Sequence, residues 1–366
     1  MPLETIVQGR ISEQLRNAVA GYFDIHMLQF DVEFERFRHA VRLSGVFRAP
    51  VEEAYDVISA RAKQDGYVIF FRQEGEEQVI YALQGSLPQV RRNYLLAGLL
   101  FVATLASVFL TFGLTPEMGI DWRGGFSYAI PLMSILLAHE LGHFFVARHY
   151  KMQVSPPYFI PLPLVSLGTL GAVIAMLAPP KNRRQLLQMA AAGPLFGLVL
   201  AIPILIYGLS ISEVGPLPVG QPYLMEGNSI LYAGIKYLMF GQMLPSPDGI
   251  DVSLHNVAFA GWVGLLVTAL NLIPAGQLDG GHAAFTLFGR RIRPLSYVLI
   301  VLMAVLSFRF TGWLIWAALI FIFGRTYAVP MDDITPLDGK HKALAALMLV
   351  LAVLLFVAVP FRFVPG

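Results

Sequence analysis

Apolar runs long enough to cross a bilayer dominate the chain beyond residue 93. A membrane-spanning helix needs about 20 mostly apolar residues. Five such runs lie at about 94–114, 127–148, 185–209, 253–274 and 343–361. A further apolar region at about 294–324 is interrupted near Arg309, and we interpret it as two short spans. The pattern predicts a polytopic α-helical membrane protein with about seven transmembrane helices.

The first ninety residues have a different pattern, with frequent charges and no spanning segment. Alternating and helical periodicities predict one strand, one helix and the two arms of a hairpin, at 42–47, 51–63, 67–72 and 79–83. A small soluble α+β domain fits these elements. We therefore divide the chain into a soluble domain at 1–90, a membrane core at 91–290 and C-terminal transmembrane helices at 291–366.

The composition agrees with a membrane protein, since 56% of the 366 residues are hydrophobic and only 14% are charged. The chain shows neither a signal peptide nor an early apolar segment, so we expect it to start in the cytosol and to be inserted by its first span. The absence of cysteine excludes disulfides, thiolate metal ligands and cysteine nucleophiles. The net charge of +2 gives no indication of nucleic-acid binding, and we expect no nucleic-acid partner.

Charged residues in the loops predict the orientation of the chain, because short cytosolic loops are enriched in Lys and Arg. Basic residues cluster before span one, between spans two and three, after span four and before span seven, at Arg91, Arg92, Arg148, Lys151, Lys181, Arg183, Arg184, Arg290, Arg291, Arg293, Arg325, Lys340 and Lys342. The opposite loops are mainly acidic, with Glu117, Asp121, Glu213, Glu226, Asp248 and Asp251. We expect the N-terminus in the cytosol and the C-terminus outside.

The second apolar run contains the sequence His139-Glu140-Leu141-Gly142-His143. Four residues of helix advance about 400°, so His139 and His143 project from one face and can share a zinc ion. Glu140, beside that face, can act as a general base towards water. HExxH also occurs by chance in unrelated chains. At bilayer depth, however, a carboxylate and two imidazoles each cost several kcal/mol if unpaired, which favours a metal site, here near the cytosolic end of its span.

A catalytic zinc ion takes three protein ligands, so the two histidines leave one to be found. Four candidates carry suitable side chains: His149, His255, Asp279 and His282. His149 would extend the motif towards HExxHxxGxxH, but Val146 replaces the required glycine, and a continuous helix turns His149 away. His255 lies at the outer end of span four, too far from the pair. Asp279 and His282 lie at the cytosolic end of that span, and we prefer Asp279, with His282 as the runner-up.

Residues 271–280 read Asn-Leu-Ile-Pro-Ala-Gly-Gln-Leu-Asp-Gly. HExxH in one span, followed in a later span by Asn-x-x-Pro-x-x-x-x-Asp-Gly, resembles the site-2 proteases, a family of intramembrane zinc metalloproteases. Residues 191–197 and 166–174 are also similar to family segments. The resemblance covers about 90–290. It implies one Zn²⁺ held by His139, His143 and Asp279, with Glu140 as the general base. It also implies regulated intramembrane proteolysis, the hydrolysis of peptide bonds within or near the transmembrane helices of single-span proteins.

Three further residues are candidates for substrate binding. Asn271 either bonds a neighbouring helix or holds the substrate carbonyl near zinc. Residues 154–176, which include Gly168 and Gly171, are too rich in Pro and turn residues for a clean span. We interpret them as a re-entrant β-hairpin whose free edge pairs with an unwound substrate, the alternative being an ordinary cytosolic loop.

Two other classes of function remain in view. A metal-ion transporter also buries His, Glu and Asp, but transporters usually place them around a midplane pathway built from repeats, and the sequence shows no internal repeat. A catalytically silent membrane scaffold would be expected to have lost a ligand or Glu140. The sequence therefore favours an intramembrane zinc metalloendopeptidase.

Overall fold

The apolar runs fold as α-helices in the computed structural model, which describes residues 3–35, 37–88, 92–115, 119–163, 167–218, 220–324 and 326–365. Parts of the sequence predictions lie outside these ranges, namely Arg91, Glu117, Arg325 and residues 164–166 of the predicted hairpin. The predicted domain boundary at 90/91 also falls outside them. The chain forms two compact units, one made of Met1–Gln89, Leu177–Leu186 and Val329–Asp338, the other of Val90–Met176, Leu187–Ala328 and Gly339–Gly366.

Two helices and a four-stranded antiparallel sheet form most of the first unit. Its elements are α1 Leu3–Val19, β1 Phe23–Phe34, β2 Phe37–Phe47, α2 Val51–Gln64, β3 Tyr67–Glu74 and β4 Glu77–Gln84. The strands lie in the order β1-β2-β4-β3. Helix α2 follows Pro50, which pre-sets an extended turn, and it buries Ala54, Tyr55, Ile58 and Ala62 against the sheet. The structure confirms the predicted helix and the predicted β3–β4 hairpin.

The second unit contains most of the apolar helices. They are α3 Tyr94–Gly113, α4 Trp122–His149, α5 Arg183–Ser210, α6 Ile230–Phe240, α7 Asn256–Asn271, α8 Asp279–Phe288, α9 Arg293–Leu306, α10 Gly312–Phe323 and α11 Gly339–Leu355. Within the described residues, α3, α4 and α5 are long and apolar enough to cross a membrane, and α6, α7 and α10 are shorter apolar helices. The helical architecture of a membrane protein is thus present, while the count of seven spans stays a prediction.

Short strand pairs join the helices of the second unit. Their members are β5 Leu114–Thr115, β6 Gly119–Ile120, β7 Tyr158–Pro161, β8 Thr169–Val173, β9 Glu213–Pro216, β10 Tyr223–Glu226, β11 Ile250–Ser253 and β12 Phe361–Val364. The pairs are β5–β6, β7–β8, β9–β11 and β10–β12. The stretch between the apolar runs at 185–209 and 253–274 therefore contains a helix and three strands. The apolar run at 343–361 ends as helix at Leu355 before β12 begins.

Residues 154–176 contain the antiparallel strand pair β7–β8, here called the β7–β8 hairpin, in which Tyr158 lies opposite Val173 and Phe159 opposite Ala172. The hairpin packs on α3, where the Ser107 hydroxyl donates to the Gly168 carbonyl at 2.6 Å. Gly168 has a positive φ of 75°, and a Cβ on it would lie 2.6 Å from the Val108 Cα. The position of the hairpin in a membrane stays a prediction.

Helix α7 is shorter than the apolar run at 253–274, since it ends at Asn271 and an irregular loop continues to α8. Pro274 cannot supply a helical N–H in that loop. Two glycines allow the loop to fold tightly: a Cβ on Gly280 would lie 1.9 Å from the Leu272 carbonyl oxygen, and one on Gly281 would lie 2.5 Å from that of Ala275. The helix is therefore broken around Pro274, and the break ends where Asp279 opens a new helix.

Candidate metal centre

Helix α4 places His139 and His143 on one face, one turn apart. The helix is capped by Asp121, whose carboxylate accepts from the backbone N–H groups of Arg123 and Gly124 at 3.0 Å. The two imidazole Nε2 atoms lie 3.2 Å apart. Both side chains are largely buried. Two nitrogens of the same kind at this separation, shielded from water, point to a shared ion rather than to a hydrogen bond between the rings.

Asp279 joins this pair from a different part of the chain. It is the first residue of α8, and its Oδ2 lies 3.4 Å from the His139 Nε2 and 3.3 Å from the His143 Nε2. The loop between α7 and α8 brings it there. Within the described residues, these three side chains form a cluster able to hold a metal ion.

The spacing of the three donor atoms fits a zinc ion. Tetrahedral zinc binds nitrogen and carboxylate oxygen at about 2.0–2.1 Å, which places neighbouring ligand atoms about 3.3–3.4 Å apart. The three observed separations are 3.2, 3.3 and 3.4 Å. Two imidazoles and one carboxylate form a donor set typical of catalytic zinc, which keeps its fourth position for water or substrate.

Helix α5 packs directly against the histidines through glycine. A Cβ on Gly193 would lie 2.0 Å from the His143 Nε2, and one on Gly197 would lie 3.2 Å from the His139 Nδ1. On α4, a Cβ on Gly142 would lie 2.6 Å from the Ala192 carbonyl oxygen. These glycines allow the two helices to approach closely at the metal centre. The sequence offered only a Gly-Pro pair inside an apolar run, and sequence reasoning gave Gly193 no role.

The backbone of α5 also orients His143. Its Nδ1 lies 2.8 Å from the Met189 carbonyl oxygen, so this nitrogen carries the proton and donates it. The other ring nitrogen, Nε2, is then free of its proton and can bind a metal ion. Sequence reasoning missed this carbonyl, because a backbone group leaves no trace in the residue type.

The remaining candidate side chains lie in different positions. Asn271 is close, with its Nδ2 3.3 Å from the His139 Nε2. Glu140 is 8% exposed and follows His139 on α4. His282 is buried one turn after Asp279 on α8.

His149, His255 and His282, the other histidines weighed as ligands, lie outside the cluster. His149 is exposed at the end of α4. His255 caps the start of α7, where its Nδ1 accepts from the Val257 N–H at 3.2 Å. The two glycines predicted to bind substrate lie on the hairpin. The Gly168 carbonyl is engaged by Ser107, and the Gly171 N–H donates to the Thr169 hydroxyl at 3.0 Å.

Comparison with known proteins identifies related sequences. The sequence profile of Peptidase family M50 matches residues 127–311, just over half of the chain. The chain is 29% identical, over 99% of its length, to a protein named "Probable zinc metalloprotease EGY2, chloroplastic" from Arabidopsis thaliana. It is 30% identical, over 67% of its length, to the protein of that name from Oryza sativa subsp. indica. It is 33% identical, over 62% of its length, to "Probable zinc metalloprotease EGY1, chloroplastic" from Arabidopsis thaliana.

These relatives are longer than the present chain. The matches cover 66%, 44% and 42% of their respective lengths. No solved structure matches the chain. The matched region of the family profile contains both halves of the metal cluster, the HExxH of α4 and Asp279 of α8.

Proposed function

Because this chain belongs to peptidase family M50, we propose that it is a zinc metalloendopeptidase that cleaves peptide bonds within or near the transmembrane helix of a single-span membrane protein. The observation that carries the proposal is the triangle formed by His139, His143 and Asp279, whose donor atoms have the spacing of a zinc site. A catalytic role is favoured over a structural one because the triangle supplies three ligands and not four.

Each residue of the site has a role in this proposal. His139, His143 and Asp279 hold Zn²⁺, which when bound polarises the peptide carbonyl and lowers the pKa of a water molecule. Glu140 accepts the proton of the attacking water and returns it to the leaving amine. Asn271, whose amide already lies beside His139, donates to the substrate carbonyl oxygen and steadies the charge that develops there.

The β7–β8 hairpin is the proposed binding surface for the unwound substrate. A transmembrane helix must lose its internal hydrogen bonds before it can be cut, and the freed backbone groups need new partners. In a two-stranded sheet each strand has one outer edge, and strand addition there supplies such partners. Leu170 on β8 is 67% exposed and Gly171 has open space beside it, so this stretch can accept a chain, while Gly168 anchors the hairpin to α3.

We extend the proposal to the membrane topology. The arrangement has about seven spans, of which α3, α4 and α5 are the long ones. The N-terminal soluble domain and the metal centre face the cytosol or the equivalent compartment, as the distribution of Lys and Arg predicts. The domain division keeps 1–90 as the soluble domain, 91–290 as the peptidase core and 291–366 as further transmembrane helices.

The test is cleavage of a tagged single-span reporter whose helix carries destabilising residues. The intact chain, Glu140→Gln and the matched control Glu213→Gln are co-expressed with the reporter, and zinc content is measured in parallel. Glu213 is an exposed residue of β9. We expect the intact chain and the control to cut and Glu140→Gln to keep its zinc while losing about 10²-fold or more of the rate. Equal cleavage by Glu140→Gln would contradict the role of Glu140 as the base.

A further inference from the structure

Two distant segments of the chain extend the sheet of the first unit. The Phe71 N–H of β3 donates to the Met331 carbonyl at 2.8 Å, and the Asp333 N–H donates back to the Phe71 carbonyl at 3.3 Å. Residues 331–333 also pair on the side away from β3, where the Asp332 N–H donates to the Lys181 carbonyl at 2.7 Å. Residues 331–333 therefore lie along the outer edge of β3, and residues 180–182 lie next to them.

The segment at 330–335 is built into the unit rather than resting on its surface. Arg72 is 3% exposed and donates to the carbonyl oxygens of Pro330 at 2.9 Å and Met331 at 3.0 Å. The Tyr55 hydroxyl donates to the Met331 sulfur at 3.2 Å, and burial raises the pKa of that hydroxyl. Asp332 is fully buried and caps the N–H groups that follow it. Removing this segment would leave buried polar groups unpaired, which costs more than the hydrogen bonds contribute.

Helix α2 binds residues 181–184 through ion pairs. Glu52 and Asp56 lie one turn apart on the same face. The Glu52 carboxylate lies 3.0 Å from the Arg184 guanidinium and accepts from the Asn182 amide at 3.3 Å. The Asp56 carboxylate lies 2.6 Å from the Lys181 ammonium. Two carboxylates of one helix thus bind the basic stretch 181–184.

The residues held in this way connect two parts of the proposed active site. Residues 177–186 follow the β7–β8 hairpin and include the first turn of α5. The same continuous helix carries Met189, whose carbonyl orients His143, and Gly193, which contacts the His143 ring. Arg184 precedes Met189 by little more than one helical turn.

We propose that residues 1–89 act as a positioning module: by binding 177–186 and 329–338 they fix the start of α5 and, through it, the carbonyl and the glycine that hold His143. The link to catalysis rests on the proposed function, but the effect of residues 1–89 on zinc binding can be measured without catalysis. Glu52 and Asp56 are positioning residues in this account, acting through Arg184 and Lys181.

The test reverses the two carboxylates in the full-length chain. Glu52→Arg with Asp56→Arg turns two attractions into two repulsions, and Lys181→Glu with Arg184→Glu in the same chain restores opposite charges. Glu13→Arg with Glu53→Arg is the matched control, since it makes the same change of net charge at two exposed glutamates of the same unit. Zinc Kd, deuterium uptake of 177–186 and reporter cleavage are measured for all four proteins.

We expect the reversed protein to exchange faster at 177–186 and to bind zinc about tenfold more weakly, the size of effect typical of groups that orient metal ligands. The four-residue swap should recover most of both losses, and the control should match the wild type. Equal zinc Kd in the reversed and control proteins would overturn the proposal. Loss of zinc in both the reversed and the swapped proteins would overturn it too, because the loss would then not depend on pairing. Failure of the proposed proteolysis would instead be seen as intact zinc binding without cleavage in the wild type.

Discussion

Gly193→Ala tests the close packing of α5 against the metal centre. The added Cβ would lie 2.0 Å from the His143 Nε2, 2.4 Å from its Cε1 and 2.5 Å from its Cδ2. Non-bonded heavy atoms rest at about 3.5 Å or more, so the ring would have to move by about 1.5 Å. Metal–ligand bonds tolerate only about 0.2 Å. The imidazole therefore has to leave its position or the helices have to separate.

Neither response preserves the site. Movement of the ring breaks its bond to the Met189 carbonyl, and separation of the helices carries the same carbonyl away. A misplacement of about 1 Å costs roughly 10²-fold in rate, and we expect a loss of at least that size in both zinc affinity and reporter cleavage. Gly197→Ala should show a smaller loss, since its Cβ would lie 3.2 Å from the His139 ring.

The assay is zinc titration of the purified protein together with reporter cleavage. Gly98→Ala is the matched control, because Gly98 lies in α3 with nothing within 4 Å of an added Cβ. We expect the loss of zinc affinity and of reporter cleavage to increase in the order Gly98→Ala, Gly197→Ala, Gly193→Ala. If Gly193→Ala bound zinc as tightly as Gly98→Ala, the contact between α5 and His143 would be refuted.

Three further results are expected. Asp279→Asn keeps the shape of the side chain but removes its charge, so zinc affinity should fall by about 100-fold or more, and a zinc Kd equal to that of the wild type would exclude Asp279 as a ligand. Ser107→Ala removes one of two donors to the buried Gly168 carbonyl, the other being the Leu162 N–H; we expect a cost of about 0.5–1.5 kcal/mol, seen as faster deuterium exchange in 167–173 with zinc content unchanged. Zinc at about 100-fold its Kd should stabilise the fold by about 2.7 kcal/mol, so chelation should lower the Tm of the wild type and leave that of His143→Ala unaffected.

The residues of the candidate metal site could be predicted because their chemistry is carried by residue type and local spacing. His139 and His143 are one helical turn apart in the sequence, and any helix brings them together. Asp279 needed a second argument, the common membrane depth of two spans, and the structure brings it within 3.4 Å of both histidines. Pro274, which cannot supply a helical N–H, lies in the break after Asn271.

Interactions made by backbone groups, or made possible by a glycine that has no side chain, could not be predicted in this way. The role of Gly193 depends on which helix packs beside it, and that of Met189 depends on a carbonyl that every residue possesses. The pairing of Phe71 with residues 331–333 spans most of the chain, and no local pattern in the sequence indicates it.

The apolar runs predicted the presence of helices better than they predicted where the helices end. The run at 343–361 continues past Leu355, where α11 ends, to Phe361, where β12 begins. Val and Phe suit a strand as well as a membrane helix, and Pro360 stops a helix. Helix α6, 11 residues long, lies in a region predicted as a loop. Its Ser229 cap and the Gly241 that ends it are typical helix boundaries.

X-ray absorption at the zinc edge of the zinc-loaded protein tests the central claim most directly. We expect one zinc per chain, bound by two imidazoles and one carboxylate at zinc–ligand distances of about 2.0–2.1 Å. The imidazole signal should fall in His143→Ala, and the signal should be unchanged in His149→Ala, an exposed histidine at the end of the same helix. Two results would contradict this zinc site: a zinc ion with no imidazole ligand, or a spectrum that His143→Ala leaves unchanged.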